Sequence, residues 1–160
     1  MNQDKRIVVV GGSAAGPKAA ARARRMDEKA QITIIQKDPD LSMASCGYPY
    51  YVGGVIDERN KLLCTPTGVV RDPMFYMKTK EIEAKTRTEA ISIDRENMKV
   101  ICRDLESGEE FEQPYDKLII CTGSKPRMPP VPGTDLDGIT TLQSMKDADF
   151  LRKVRDEGNI

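Results

Sequence analysis

Two hydrophobic patterns divide this chain. Arg6-Ile7-Val8-Val9-Val10 is an unbroken apolar run that ends at Gly11, and Lys117-Leu118-Ile119-Ile120-Cys121 ends in the same way at Thr122-Gly123. Such runs predict strands buried on both faces, as in a parallel sheet. Gln31 to Gln36 predicts another strand of this kind. The second pattern is alternating and more polar. Thr86 to Asp94 and Met98 to Asp104 read as strands with Asn97 in the turn between them, and Glu110 to Glu112 as a short strand after the Ser107-Gly108 turn. That series is a β-meander. Helices are predicted from Pro17 to about Asp27, from Val69 to Lys80 with Asp72-Pro73 complicating the start, and from Asp147 to Asp156 with a cap near Ser144. No internal repeat is visible.

The first strand, its turn and the next helix form a recognisable unit. Gly11-Gly12-Ser13-Ala14-Ala15-Gly16 joins them. Gly11 turns the chain tightly, and Gly16 lets the helix pack close to the strand. The helix amides can then hold a pyrophosphate, and the strand at Gln31 completes a dinucleotide-binding βαβ unit of the right length. The pattern departs from its usual form twice. Ser13 replaces the middle glycine, and Gln36 stands where an Asp or Glu grips a ribose; an amide can bond that hydroxyl only without charge assistance. An ordinary α/β turn without nucleotide is the alternative.

Leu41 to Gly54, LSMASCGYPYYVGG, carries the candidate chemistry. Cys46 is followed by Gly47, which lets backbone pass close to a flat ligand, and by Pro49, which suits a first helical turn. A cysteine at a helix N-terminus feels the positive end of the dipole, which favours the thiolate. A buried cysteine in an aromatic-rich turn is the other reading. Downstream, the Thr122-Gly123-Ser124 turn offers hydroxyls and amides at a strand end, and the prolines at 126, 129, 130 and 132 force an extended exit.

Together these windows resemble the pyridine nucleotide-disulfide oxidoreductases, flavoproteins with two dinucleotide-binding domains. Gly11 to Gly16 is similar to their flavin pyrophosphate motif, and Tyr115 to Gly123 to their second flavin motif. Ser42 through Gly54 is most similar to the single-cysteine branch, which holds coenzyme A disulfide reductases, NADH-dependent persulfide reductases and NADH oxidases. Neither the Cys-x4-Cys nor the Cys-x2-Cys pair of other branches exists around Cys46. The resemblance implies an α/β, Rossmann-like FAD-binding domain with a parallel sheet and a β-meander crossover, incomplete relative to the family. Residues 1–125 would be the N-terminal part of that domain, and 126–160 a linker and helix leading toward an absent NAD-binding domain. It implies Cys46 as the redox nucleophile. FAD contacts fall on Gly11, Gly12, Ser13, Ala14, Ala15, Gly16, Gln36, Lys37, Ala90, Thr122 and Gly123. Coenzyme A contacts fall on Lys18, Arg22, Arg25, Ser42 and Ser45, although Lys18 and Arg22 are not the residue types expected there.

Composition narrows the setting. The 160 residues carry 25 basic and 25 acidic side chains, so no nucleic-acid-binding footprint is indicated. No stretch approaches a membrane span and no signal peptide precedes the first strand, so a cytoplasmic protein is expected. The four cysteines, Cys46, Cys64, Cys102 and Cys121, lack zinc-ligand spacing, and there is no histidine, so no metal is expected. Structural disulfides are not expected, and Cys102 and Cys121 read as small buried hydrophobes.

The resemblance implies electron flow from NAD(P)H through FAD to Cys46, and from there to a small-molecule disulfide or persulfide, with coenzyme A as a thiol partner. Thiolate attack on such a sulfur needs only an accessible thiol of low pKa. A full-length member is expected to be a homodimer, and this chain alone an inactive fragment. NADH oxidase, cycling its cysteine through sulfenic acid, is the rival within the family. A nucleotide- or coenzyme A-binding module without turnover is the rival outside it. The basic spacing of Lys18, Arg22 and Arg25 on one helix face also suits a simply solvated surface.

Overall fold

The computed structural model describes residues 4–158. They form two compact units, residues 4–43 with 65–123, and residues 44–64 with 124–158. The chain thus leaves the first unit at the cysteine segment and returns to it before the meander. The segment expected to belong with the strands clusters instead with the stretch after Gly123.

The first unit has three layers. Its centre is a four-stranded parallel sheet of β1 (Arg6–Val10), β2 (Gln31–Ile35), β3 (Ile82–Lys85) and β7 (Lys117–Ile120), in the order β3-β2-β1-β7. Alternate residues of β1 and β2 serve opposite faces. Val9, Ile32 and Ile34 join Ala20, Ala30, Leu41, Tyr76 and Ile82 in one core. Val8, Val10 and Ile35 join Val100, Cys102 and Tyr115 in the other. The first core is covered by α1 (Ala15–Met26) and α3 (Pro73–Lys80). The second is covered by an antiparallel sheet of β4 (Thr88–Asp94), β5 (Lys99–Asp104) and β6 (Glu110–Pro114). Burial on both faces is why β1 reads as an unbroken apolar run. β7 was expected to be buried in the same way, but it is an edge strand with no buried residue, and Ile120 is 61% exposed.

Local chemistry corrects several expected boundaries. α1 begins two residues before Pro17, at Ala15. The helix expected from Val69 begins only at Pro73, because Asp72 caps it by accepting from the Phe75 amide at 2.7 Å. β3 was not anticipated; its four residues are too few to show a period. The last helix, α4 (Met145–Glu157), opens with a capping box in which Ser144 and Asp147 satisfy each other's amides. Arg24 joins α1 to the end of α3 by donating to the Lys80 carbonyl at 3.1 Å and the Glu81 carbonyl at 2.7 Å. Among the described residues no helix is long and apolar enough to cross a membrane.

One ion pair staples the ends of β1 and β7. Asp116 accepts from the Arg6 backbone amide at 2.7 Å and from its guanidinium Nη2 at 2.7 Å. The Arg6 guanidinium, then its amide, hold the Asp116 carboxyl down at about 2, against an ordinary 3.8. A depressed carboxyl stabilises fully above its unfolded pKa and loses that contribution as pH falls through the folded one. Asp116→Asn should therefore lower stability at neutral pH and flatten the stability curve between about pH 4 and pH 2. Urea unfolding across that range checks this, and an acid limb identical to that of the parent would count against the staple.

Candidate active site

The dinucleotide-type turn is built by close approach. Gly11 has φ +109° and its amide donates to the Ile35 carbonyl at 2.8 Å. A Cβ on Gly11 would overlap the Cys121 carbonyl, and one on Gly16 would overlap the carbonyl of Gly11 itself. The glycines therefore permit β1, β7 and α1 to converge. At the start of α1 there is no side-chain cap and no acidic residue in the first turn, and Ser13, Ala14 and Ala15 are exposed. The positive end of a twelve-residue helix is thus open to an anion.

Gln36 is buried at 5% exposure. Its Oε1 accepts from the Gly12 amide at 2.7 Å and its Nε2 donates to the Asp40 carbonyl at 3.3 Å. Both ends of the amide already meet protein, so a ribose hydroxyl has only the second Oε1 lone pair or the second Nε2 hydrogen to use. Lys37 pairs with Glu89 on β4 at 2.7 Å. Ala90 stands at an irregularity of the β4–β5 ladder, and Thr122 and Gly123 lie exposed just past β7, with Gly123 at φ +71°.

A second feature of this unit is a cavity of about 300 Å³ between α1 and α3. Lys18, Arg25, Arg71 and Lys80 line it, with Ser42 and Tyr76, and no carboxylate does. Ser42 holds a left-handed φ of +54°, and its amide donates to the Gly12 carbonyl at 2.8 Å. Such backbone strain in a non-glycine residue collects at ligand-binding positions. Burial pushes the Tyr76 phenol up, while Ser42 and the Arg71 charge pull it down. Four cations around one cavity repel each other unless an anion enters.

The structure brings Lys18, Arg25 and Ser42 together, but Arg22 is exposed on α1 outside that lining, and Ser45 lies in the other unit. Arg71 and Lys80 were not anticipated from the sequence. The sequence signal for Lys80 was its place four residues after Tyr76 on one helix. Arg71 had none, since it precedes the Asp72 cap in irregular chain.

In the second unit, Cys46 lies in the 3₁₀ turn Ser45–Gly47, immediately before α2 (Tyr48–Val52), and its residue is exposed. α2 has only five residues, so the helix dipole expected to act on the thiol is small. Gly47 is required by packing, because a Cβ there would overlap the Leu62 side chain. Cys64 is half-buried, and burial pushes the Cys102 thiol up. Cys121, expected to be buried, is half-exposed past the end of β7.

A parallel sheet with a glycine turn at its first helix defines the class as a dinucleotide-binding type of α/β fold, and the other unit carries an exposed cysteine. The chain belongs to the pyridine nucleotide-disulphide oxidoreductases, whose family pattern matches residues 5–160. It is 35% identical over 153 residues to a coenzyme A disulfide reductase of Staphylococcus haemolyticus, covering 96% of this chain and 33% of that protein. It is 30% identical to an NADH oxidase of Methanocaldococcus jannaschii, covering 95% of this chain and 32% of that protein. The structure of a NAD-dependent persulfide reductase from A. fulgidus superposes with a TM-score of 0.89 at 41% identity, covering 96% of this chain and 28% of that one. The chain therefore spans about a third of the length of these relatives. The family's enzymes are oxidoreductases that use FAD and NAD(P)H, and the open α1 terminus with its converging glycines fits the FAD pyrophosphate.

Replacing Gln36 by Leu strips the buried Gly12 amide of its acceptor, and should cost about 1–3 kcal/mol of stability. Chemical denaturation measures it, and a loss below about 0.5 kcal/mol would show that the amide finds water instead.

Proposed function

We propose that this chain forms part of a flavin-dependent reductase acting on the disulfide or persulfide sulfur of an anionic thiol such as coenzyme A, with Cys46 as its redox sulfur. The carboxylate-free cavity lined by Lys18, Arg25, Arg71 and Lys80 carries the reading, since phosphates are the anions that four such cations suit. The exposed Cys46 thiol supports it from the other unit. FAD, when bound, supplies two-electron transfer from NAD(P)H to sulfur. The Cys46 thiolate attacks one sulfur of the substrate disulfide, forming a mixed disulfide and expelling one thiolate. Two electrons and a proton then return Cys46 to the thiolate and release the second thiol. Lys18, Arg25, Arg71 and Lys80 supply the positive charge for phosphate groups, and the Ser42 hydroxyl can hydrogen-bond one of them. This chain has no histidine, so a proton donor is a tyrosine, solvent or a group of the rest of the enzyme.

An NADH oxidase reading draws on the Methanocaldococcus relative. It leaves the cation-lined cavity without a ligand, so disulfide reduction is favoured. Both are distinguished in FAD-loaded holoenzyme by comparing NADH-dependent reduction of coenzyme A disulfide with oxygen consumption. Cys46→Ser should abolish disulfide reduction, and full activity in that variant would remove the thiol from the reaction. Arg71→Ala and Lys80→Ala should each raise KM for coenzyme A disulfide roughly tenfold, the worth of one charge-assisted bond. They should leave an uncharged small disulfide unaffected. Equal effects on both substrates would overturn the phosphate role of the cavity.

A further inference from the structure

The turn that carries Cys46 has little structure of its own to hold it. α2 is five residues long, and the last carbonyls of a helix have no partner within it. Backbone amides just after α2 meet the Pro49, Tyr50 and Tyr51 carbonyls, and arginines of α4 add a second bond at Tyr51 and reach the Val52 carbonyl. Arg152 Nη1 donates to the Tyr51 carbonyl at 2.6 Å and to the Ile56 carbonyl at 3.2 Å. Arg155 Nη1 donates to the Val52 carbonyl at 2.7 Å. One turn earlier on α4, Asp149 accepts from the Tyr51 hydroxyl at 3.2 Å and from Arg59 Nε at 3.0 Å. The Arg152 guanidinium also lies over the Tyr51 ring, 5.3 Å from its centroid. Asp156 accepts from Arg152 Nε at 2.9 Å and from Arg155 Nε at 2.9 Å, which fixes both arms.

Gly54 records the same contact from the other side. Its φ is +85°, and a Cβ there would overlap the Arg155 guanidinium. The second glycine of the Gly53-Gly54 pair therefore marks where the α4 arm crosses the chain. Tyr48, Tyr51, Met145 and Ala148 are buried along the α2–α4 contact.

We infer that α4 positions the redox turn, with Arg152, Arg155 and Asp149 as positioning residues that hold α2 and thereby set the direction of the Cys46 sulfur. The inference rests on the reading of Cys46 as the working thiol. None of these three side chains needs to touch substrate. Guanidinium-to-carbonyl bonds are charge-assisted, so they are stronger than neutral ones. A reacting atom displaced by about 1 Å costs about a hundredfold in rate.

The test uses FAD-loaded holoenzyme carrying Arg152→Ala, Arg152→Lys or Asp149→Asn. For each, kcat and KM for disulfide reduction are measured, with the rate of Cys46 alkylation across pH and amide hydrogen exchange over residues 48–56. Arg152→Ala should lower kcat roughly tenfold to a hundredfold with KM unchanged, shift the alkylation profile and speed exchange. Arg152→Lys should recover part of the rate, since it can still donate to one carbonyl. Wild-type kcat and alkylation in a flavin-replete Arg152→Ala enzyme would overturn the inference. If that variant does not fold, unchanged kcat and profile in both Arg152→Lys and Asp149→Asn overturn it equally. A fully active Cys46→Ser enzyme would defeat the functional reading instead; an inactive one beside unaffected α4 variants defeats only the positioning role.

Discussion

The first unit depends on the close approach of three backbones at Gly11 and Gly16. Gly16 sits directly on the Gly11 carbonyl, and Gly11 directly on the carbonyl of Cys121. Neither position has space for a Cβ. The consequence runs in two directions. Packing α1 tightly on β1 completes the core around Val9, Ala20 and Ile34. The same contact leaves the amides of the α1 terminus at the ends of β1 and β7, where an anion can meet them. Core packing and the opening of the α1 terminus thus share one steric constraint, and a side chain added there disturbs both.

The second unit solves a different problem. Cys46 is exposed, and exposed turns are mobile unless something ties them down. Here the ties come from residues about a hundred positions later in the chain. Arg152 and Arg155 reach the carbonyls that end α2, and Asp149 receives the Tyr51 hydroxyl. Burial, ahead of the neighbouring Asp149, pushes the Tyr51 phenol up, so it stays a neutral hydrogen-bond donor at physiological pH. The Cys46 turn thus keeps this residue exposed while the backbone of α2 is held by α4.

The cation-lined cavity joins residues from four separate stretches: Lys18 and Arg25 on α1, Ser42 after β2, Arg71 before α3, and Lys80 at its end. Ser42 is held in its left-handed conformation partly by its amide's bond to Gly12. The nucleotide turn and the candidate anion cavity are therefore mechanically joined through one hydrogen bond. A change in the glycine turn would reach Ser42 without any intervening side chain.

The sequence by itself determined the parallel strands, the glycine turn, the meander and the cysteine segment. Each is written in a local signal: unbroken apolar runs, glycines at strand ends, or an Asn97 turn between alternating stretches. It also pointed to the family, because Gly11 to Gly16, Ser42 through Gly54 and Tyr115 to Gly123 together resemble its motifs. Tertiary structure alone decided the rest. β3 is too short to show a period and exists only because β2 offers it an edge. Gln36 stands at the ribose position of the pattern, and folding also turns it onto the Gly12 amide, a partner 24 positions away. Arg22 shared a spacing with Lys18 and Arg25, but the cavity between α1 and α3 takes only the other two. Arg71 and the arginines of α4 carry no local pattern, since their meaning lies in carbonyls and cavities formed by distant chain. Periodicity records which face of an element is buried; it does not record which distant group a long, flexible side chain will reach once the faces have met.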